Sequence, residues 1–278
     1  MITSTDGINW MAVADSSFGG ISIYAVAYGD GIWLAGSIGG TGRMATSING
    51  TTWTAINNTA GATAVMSMAY GGGRWVAVAG GSRMITSTDG TAWTASADTT
   101  FTGTITAVAY GNGAWVAGGG NGRMATSTDG IDWTAIADTA FAGTIQSVAY
   151  GGGIWVAVGL GGRVATSPDG VTWTAVTDSP FVTGAIRSVV YGDGRFMAVG
   201  DGGRIATSTD GTTWTTVSNT LGANNLHGIA FGNGIFVIVG DGGHTHIRSR
   251  YGLKTKPPIN EPNLQGAVWQ DSEGYLRI

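Results

Sequence analysis

The chain has 278 residues, 43% of them hydrophobic and only 11% charged, with a formal net charge of -4. That balance excludes an electrostatic nucleic-acid binder, which needs a basic stripe to neutralise phosphates. The absence of cysteine excludes disulfides, thiol catalysis and cysteine-held zinc.

No apolar run reaches the roughly 18 residues of a membrane helix, so a membrane-embedded protein is not expected. The first residues carry no basic-then-apolar signal pattern. Fifty glycines are the compositional anomaly. Each one inside a strand costs roughly 0.5–1 kcal/mol relative to alanine, so most must sit where the backbone turns.

In chain order, the sequence opens inside a repeat. Met1-Ile2-Thr3-Ser4-Thr5-Asp6-Gly7 leads to Trp10, and Trp53, Trp93, Trp133, Trp173 and Trp214 follow about every 40 residues. A second series, Trp33, Trp75, Trp115, Trp155, Phe196 and Phe236, keeps nearly the same step.

The unit is clearest from Gln146 onward and divides into four strands: Ser147–Tyr150, Ile154–Val158, Arg163–Ser167 and Val171–Val176. Glycine-rich turns separate the first three strands. Asp169-Gly170 separates the last two, and an Asp-Gly pair at that place predicts a type I′ turn with positive φ at both central residues. Nothing has helical period.

Four antiparallel strands per repeat are the signature of a propeller blade. First strands occur near Ala25, Met66, Ala107, Ser147, Ser188 and Gly228, which predicts an all-β, six-bladed β-propeller of four-stranded antiparallel blades over residues 1–249. The chain opens with strands three and four of a blade and ends its repeats with strands one and two. Closure is therefore expected in one composite blade that joins residues 1–14 to residues 228–249, removing exposed sheet edges.

Residues 250–278 read as a separate tail. Lys254-Thr255-Lys256-Pro257-Pro258 is a stiff linker, followed by a hairpin of Ala267–Gln270 and Tyr275–Ile278.

The recurrent Ser-Thr-Asp-Gly-x-x-Trp resembles the Asp-box, or BNR repeat, of sialidase-like propellers. Its acidic or amide position is Asp6, Asn49, Asp89, Asp129, Asp169 and Asp210. Asp and Gly are adjacent here, whereas the usual box spaces them by one residue. The resemblance implies a structural role for these boxes, away from the ligand face. The final stretch, from Gly266 to Ile278, resembles the C-terminal ends of phage tail-fibre proteins.

A sialidase-like site would want a tyrosine nucleophile with a partnering glutamate, an acid/base aspartate and three converging arginines. Residues 1–249 contain no glutamate, and Tyr28, Tyr70, Tyr110, Tyr150 and Tyr191 form a repeated series that reads as core. Outside the repeat positions only Asp132 and Asp271 remain among the aspartates. A two-carboxylate glycosidase is equally poorly supported. Neither an enzyme nor a cofactor is expected. His244-Thr245-His246 lacks the third ligand a catalytic zinc wants, so no metal is expected.

Arg43, Arg83, Arg123, Arg163 and Arg204, with His244 in the sixth place, open each third strand on the face opposite the boxes. Such a ring could hold carboxylates, sulfates or phosphates on glycans. The alternative, structural reading pairs each arginine with Asp15, Asn58, Asp98, Asp138, Asp178 or Asn219 at the end of strand four. Phe18, Phe101, Phe141 and Phe181 recur as packing residues in the blade-joining loops, while Tyr24, Gln146, Arg187, Asn224, Asn225 and His227 break the repeat with groups a sugar site uses.

The reading that follows is a receptor- or glycan-binding propeller at the tip of a phage tail fibre. Its setting would be the virion or extracellular, its partner a cell-surface glycan or outer-membrane receptor. The tail is a candidate contact for other tail-fibre proteins. A sialidase-like glycoside hydrolase and a passive structural spacer are the alternatives.

Overall fold

The computed structural model describes residues 1–3, 11–14, 17–38, 43–56, 61, 64–96, 101–218, 223–232, 234–241, 245–249, 269–270 and 275–277. Asp6, His244, Asp15, Asn58, Asp98, Asn219 and the proline linker lie outside these residues.

A short hairpin of β1 (Ile2–Thr3) and β2 (Met11–Ala12) comes first. The first full sheet holds β3 (Ile23–Gly29), β4 (Ile32–Ser37), β5 (Met44–Ser47) and β6 (Thr54–Ile56). The second holds β7 (Val65–Gly71), β8 (Arg74–Ala79), β9 (Arg83–Ser87) and β10 (Thr94–Ala95). The third holds β11 (Ile105–Gly111), β12 (Ala114–Gly119), β13 (Met124–Ser127) and β14 (Thr134–Ala135).

In the fourth are β15 (Ile145–Gly151), β16 (Ile154–Gly159), β17 (Val164–Ser167) and β18 (Thr174–Val176), and in the fifth β19 (Ile186–Gly192), β20 (Arg195–Gly200), β21 (Ile205–Ser208) and β22 (Thr215–Val217). The last sheet has β23 (Leu226–Gly232), β24 (Ile235–Gly240), β25 (Thr245–Ser249), β26 (Trp269–Gln270) and β27 (Tyr275–Arg277).

Each of the five middle sheets is four-stranded, antiparallel and ordered as the chain runs. The last is ordered β23-β24-β25-β27-β26. This differs from the expected closure in two places. The neighbour of β24 is β25, with Val239 opposite Thr245, rather than β1, which pairs with β2 in a two-stranded sheet. The tail hairpin is not separate either, because β27 pairs with β25. A strand edge is satisfied most cheaply by the segment nearest in sequence, since a short loop costs the least closure entropy.

The turn chemistry is also redistributed. Positive φ at both central residues belongs to the hairpin between the first two strands: Asp30 and Gly31, Asn112 and Gly113, Asp193 and Gly194. In the Asp-Gly turn only the glycine is left-handed, as Gly170 is at φ 78. That turn is built by side chains. Ser167 Oγ, buried, donates to Asp169 Oδ1 and accepts the N–H of Gly170 at 2.8 Å. Asp169 Oδ1 in turn accepts the N–H groups of Val171 and Thr172, and Trp173 Nε1 donates to Gly170 O. The bonds to the box carboxylate or amide oxygen recur from Asn49 to Asp210, and the indole bond recurs at Trp53, Trp93 and Trp214 but not at Trp133, whose buried Nε1 has no partner.

The core lies between neighbouring sheets, so both faces of an inner strand are dry. Trp75, Trp115, Trp155 and Phe196 are at most 1% exposed, and Phe18, Phe101, Phe141 and Phe181 are buried under the loops. Glycine at the end of the first strand in each of the five middle sheets lets the next sheet approach. A Cβ on Gly151 would meet Tyr191 Cγ at 2.0 Å, and the same socket recurs from Gly29 against Tyr70 to Gly192 against Phe231. Serine hydroxyls stitch the first strands across these seams, as Ser147 Oγ accepts the N–H of Val189 at 3.2 Å.

Candidate binding face

The boxes occupy one end of each of the five middle sheets, together with the hairpins between first and second strands. The other end holds the start of the first strand, the end of the second and the start of the third. Its backbone is nearly invariant.

The residue after each second strand donates its N–H to the residue before the first strand. The pairs are Ile38 to Ser22, Gly80 to Ala64, Gly120 to Thr104, Leu160 to Thr144, Asp201 to Ala185 and Asp241 to Asn225, at 2.9–3.1 Å. One residue later each first strand bulges, between Ile23 and Ala25, Val65 and Ser67, Ile105 and Ala107, Ile145 and Ser147, Ile186 and Ser188, and Leu226 and Gly228.

A bulge re-aims its side chain and is enriched next to functional sites. The bulged residues here are Tyr24, Met66, Thr106, Gln146, Arg187 and His227. No two are alike, although the flanking frame barely changes. The residues after the second strand vary with them: Ile38, Gly80, Gly120, Leu160, Asp201 and Asp241. The face thus grades from aromatic and apolar in the first two sheets, through hydroxyl and amide, to ionic in the last two.

The ionic part is a connected cluster. Arg187 Nε donates to Asp201 Oδ1 at 2.6 Å, and His227 Nε2 lies 2.6 Å from Asp241 Oδ1. Asp201 Oδ2 accepts the N–H of Ala185, and Asn225 Oδ1 accepts that of Gly202. Burial opposes the Asp201 carboxylate, but the Ala185 N–H and the Arg187 guanidinium outweigh it and hold its pKa below the ordinary value. The bond from His227 lowers that of Asp241.

Of the sequence candidates, Tyr24, Gln146, Arg187 and His227 share the bulge position. Asn225 supports the frame from the preceding loop, and Asn224 is exposed beside it. Met66 and Thr106 were not singled out from the sequence. Their signal is positional: one repeat column holds six different residues.

Arg43, Arg83, Arg123 and Arg163 lie exposed at the same end. Arg204 donates to Thr183 O and to Thr183 Oγ1. Asp138 accepts the N–H of Ala140, and among the described residues neither Asp138 nor Asp178 forms an ion pair with Arg123 or Arg163. No cluster of metal-ligating side chains occurs among the described residues. Nor is any helix there long and apolar enough to cross a membrane.

Consecutive four-stranded antiparallel sheets, with first strands packed against one another, define a β-propeller. The model of the family described as the DUF6242 beta propeller domain matches residues 4–142 and 137–263. The chain belongs to that family. No curated protein matches it.

Solved structures share the fold. YCF48 bound to D1 peptide superposes with a TM-score of 0.64 at 19% identity, over 83% of this chain and 78% of that one. Virginiamycin B lyase from Staphylococcus aureus gives 0.70 at 14% identity, over 82% and 80%. YCF48 from Cyanidioschyzon merolae gives 0.61 at 20%, over 81% of each.

Proposed function

We propose that this propeller is a receptor- or glycan-binding module that grips its ligand through the bulge positions, and that it is not an enzyme. One observation carries the reading. Six different side chains, Tyr24, Met66, Thr106, Gln146, Arg187 and His227, stand on one repeated backbone frame. A fold that needed only stability would repeat the side chain along with the frame.

The chemistry suits a sugar: a tyrosine ring for a C–H face, an amide for hydroxyls, and paired Asp and Arg able to accept and donate side by side. The carboxylates of this face are held ionised by Arg187, His227 and backbone N–H groups, which suits binding rather than proton transfer. That YCF48 is seen with a bound peptide supports ligand binding by this fold in that protein. The finer reading is a ring of six blades at the tip of a phage tail fibre, with a host-surface glycan or outer-membrane receptor as partner.

A glycan array and a whole-cell adsorption assay with the purified chain test this. Binding is expected, and Gln146→Ala and Arg187→Ala should weaken it. Absence of binding to glycans and cells by the folded chain overturns the reading.

A further inference from the structure

The fifth and last sheets carry one ion pair in two versions. Arg187 and Asp201 are 14 residues apart in sequence, as are His227 and Asp241, and each pair meets at 2.6 Å. The two bulges are neighbours, because Ser188 Oγ, one residue beyond Arg187, accepts the N–H of Ile229 at 3.3 Å. Asn225 ties the pairs together across that seam. Its Oδ1 accepts the N–H of Gly202, next in the chain to Asp201, and its side chain also bonds the Asp241 carboxylate. At the corresponding position the other sheets have Ser22, Ala64, Thr104, Thr144 and Ala185, all shorter.

The two cations differ in what they show a ligand. Asp201 takes Arg187 through Nε, which leaves the Nη groups without a bond among the described residues. A guanidinium keeps its charge at ordinary pH, so Arg187 offers donors only. The imidazole is different. The bond from His227 holds the Asp241 pKa below its ordinary value, so Asp241 is ionised, and a carboxylate only accepts. The proton of that bond therefore sits on Nε2. In the neutral ring the other nitrogen, Nδ1, is then a lone pair; in the imidazolium it is an N–H. The His227 side chain is 45% exposed, within reach of a ligand.

Among the described residues the charged groups facing this ring are Asp241 from its own sheet and Asp201 and Arg187 from the fifth. One guanidinium and two carboxylates leave one net negative charge with the neutral ring and none with the imidazolium.

We propose that His227 is a specificity-determining residue whose proton selects between two classes of sugar at this subsite. With the ring neutral, Arg187 donates and Nδ1 accepts, which matches two neighbouring hydroxyls of a neutral sugar. With the ring charged, both sheets donate and the net negative charge is gone, which matches the carboxylate of an acidic sugar. The selection rests on the glycan-binding reading above; the tautomer of His227 does not.

Histidine changes charge between about pH 5 and pH 8, so both states can be examined in the folded chain. Nitrogen NMR of the histidine-labelled protein reads the ring, with the His227 signals identified by their loss in His227→Gln. At about pH 8, Nε2 should be protonated and Nδ1 bare. The opposite tautomer overturns the proposal. The glycan array, repeated at both ends of that pH range, reads the selection. Preference for acidic over neutral glycans should rise about tenfold on acidification.

His227→Gln, whose amide donates and accepts at every pH, should remove the change. His227→Arg copies the fifth sheet's pair onto the same frame and should show the acid-form preference throughout. Glycan binding whose preference ignores pH, or follows pH equally in His227→Gln, overturns the selection and leaves the binding reading standing. Absence of binding at either pH overturns both.

Discussion

Arg187 Nε stands 2.6 Å from Asp201 Oδ1, on a bulge that the next sheet repeats with His227 and Asp241 in the same two places. The backbone beneath each pair is the same, so the change of side chains alters the chemistry without altering the scaffold. Arg187→Ala should therefore lower affinity for a bound ligand about tenfold or more, roughly 1.4 kcal/mol, with little change in melting. Arg43→Ala, outside the bulge column, should change it less than about twofold. Titration calorimetry with the ligand found on the array checks both.

The box serine is a structural device. Ser167 is 1% exposed and its hydroxyl serves two backbone N–H groups and the Asp169 carboxylate. Ser167→Ala should cost about 1–3 kcal/mol, because buried donors lose their acceptor. Chemical denaturation would show it, and ligand affinity should not move.

Acid should act through the same turns. The N–H groups of Thr172 and Val171 pull the Asp169 pKa from 3.8 down to about 2, and corresponding bonds lower those of Asp89, Asp129 and Asp210. A carboxylate with a depressed folded pKa stabilises above its unfolded value and loses that contribution as pH falls through the folded one. Melting temperature should hold above about pH 5 and fall progressively between about pH 4 and pH 2. A melt that stays flat down to pH 2 would show that these bonds contribute nothing.

The seam glycines admit no side chain. Gly151→Val would drive a Cβ to 2.0 Å from Tyr191 Cγ and should destabilise by about 1–3 kcal/mol or more. Thermal unfolding measures the loss, and wild-type stability would mean that the sheets are spaced more loosely than described.

Removing residues 1–14 strips Met1 and Val13 from Phe18, Ala35, Ala45 and Trp53. The uncovered apolar face should drive dimerisation or aggregation, visible by light scattering on a sizing column. A monomer with unchanged melting would sink the expectation.

The repeat made most of the fold legible. Trp and Gly at a fixed step place seams and turns, and Ile154–Val158, expected as a strand, is observed as Ile154–Gly159. Turn geometry was legible only in part, because Asp-Gly carries the same letters in a type I′ hairpin and in a side-chain-built turn. Ser167 decides between them, through bonds that a residue pattern does not display. The neighbour of β24 was not legible, since residues 1–4 match the repeat better than Thr245–Ser249 does and pairing depends on tertiary competition. Four bulge residues stood out as polar or aromatic. Met66 and Thr106 did not, because singly each passes for an ordinary strand residue.

The uniform frame under the bulge column has one more consequence. Since six different side chains stand on the same frame, exchanging one for another at that position should need no refolding. Duplicating or swapping one repeat of the coding sequence would permute the order of charged, polar and aromatic groups around the face in a single step. The near-identical repeats that make the chain look monotonous are what would let its specificity be dealt again like a hand of cards.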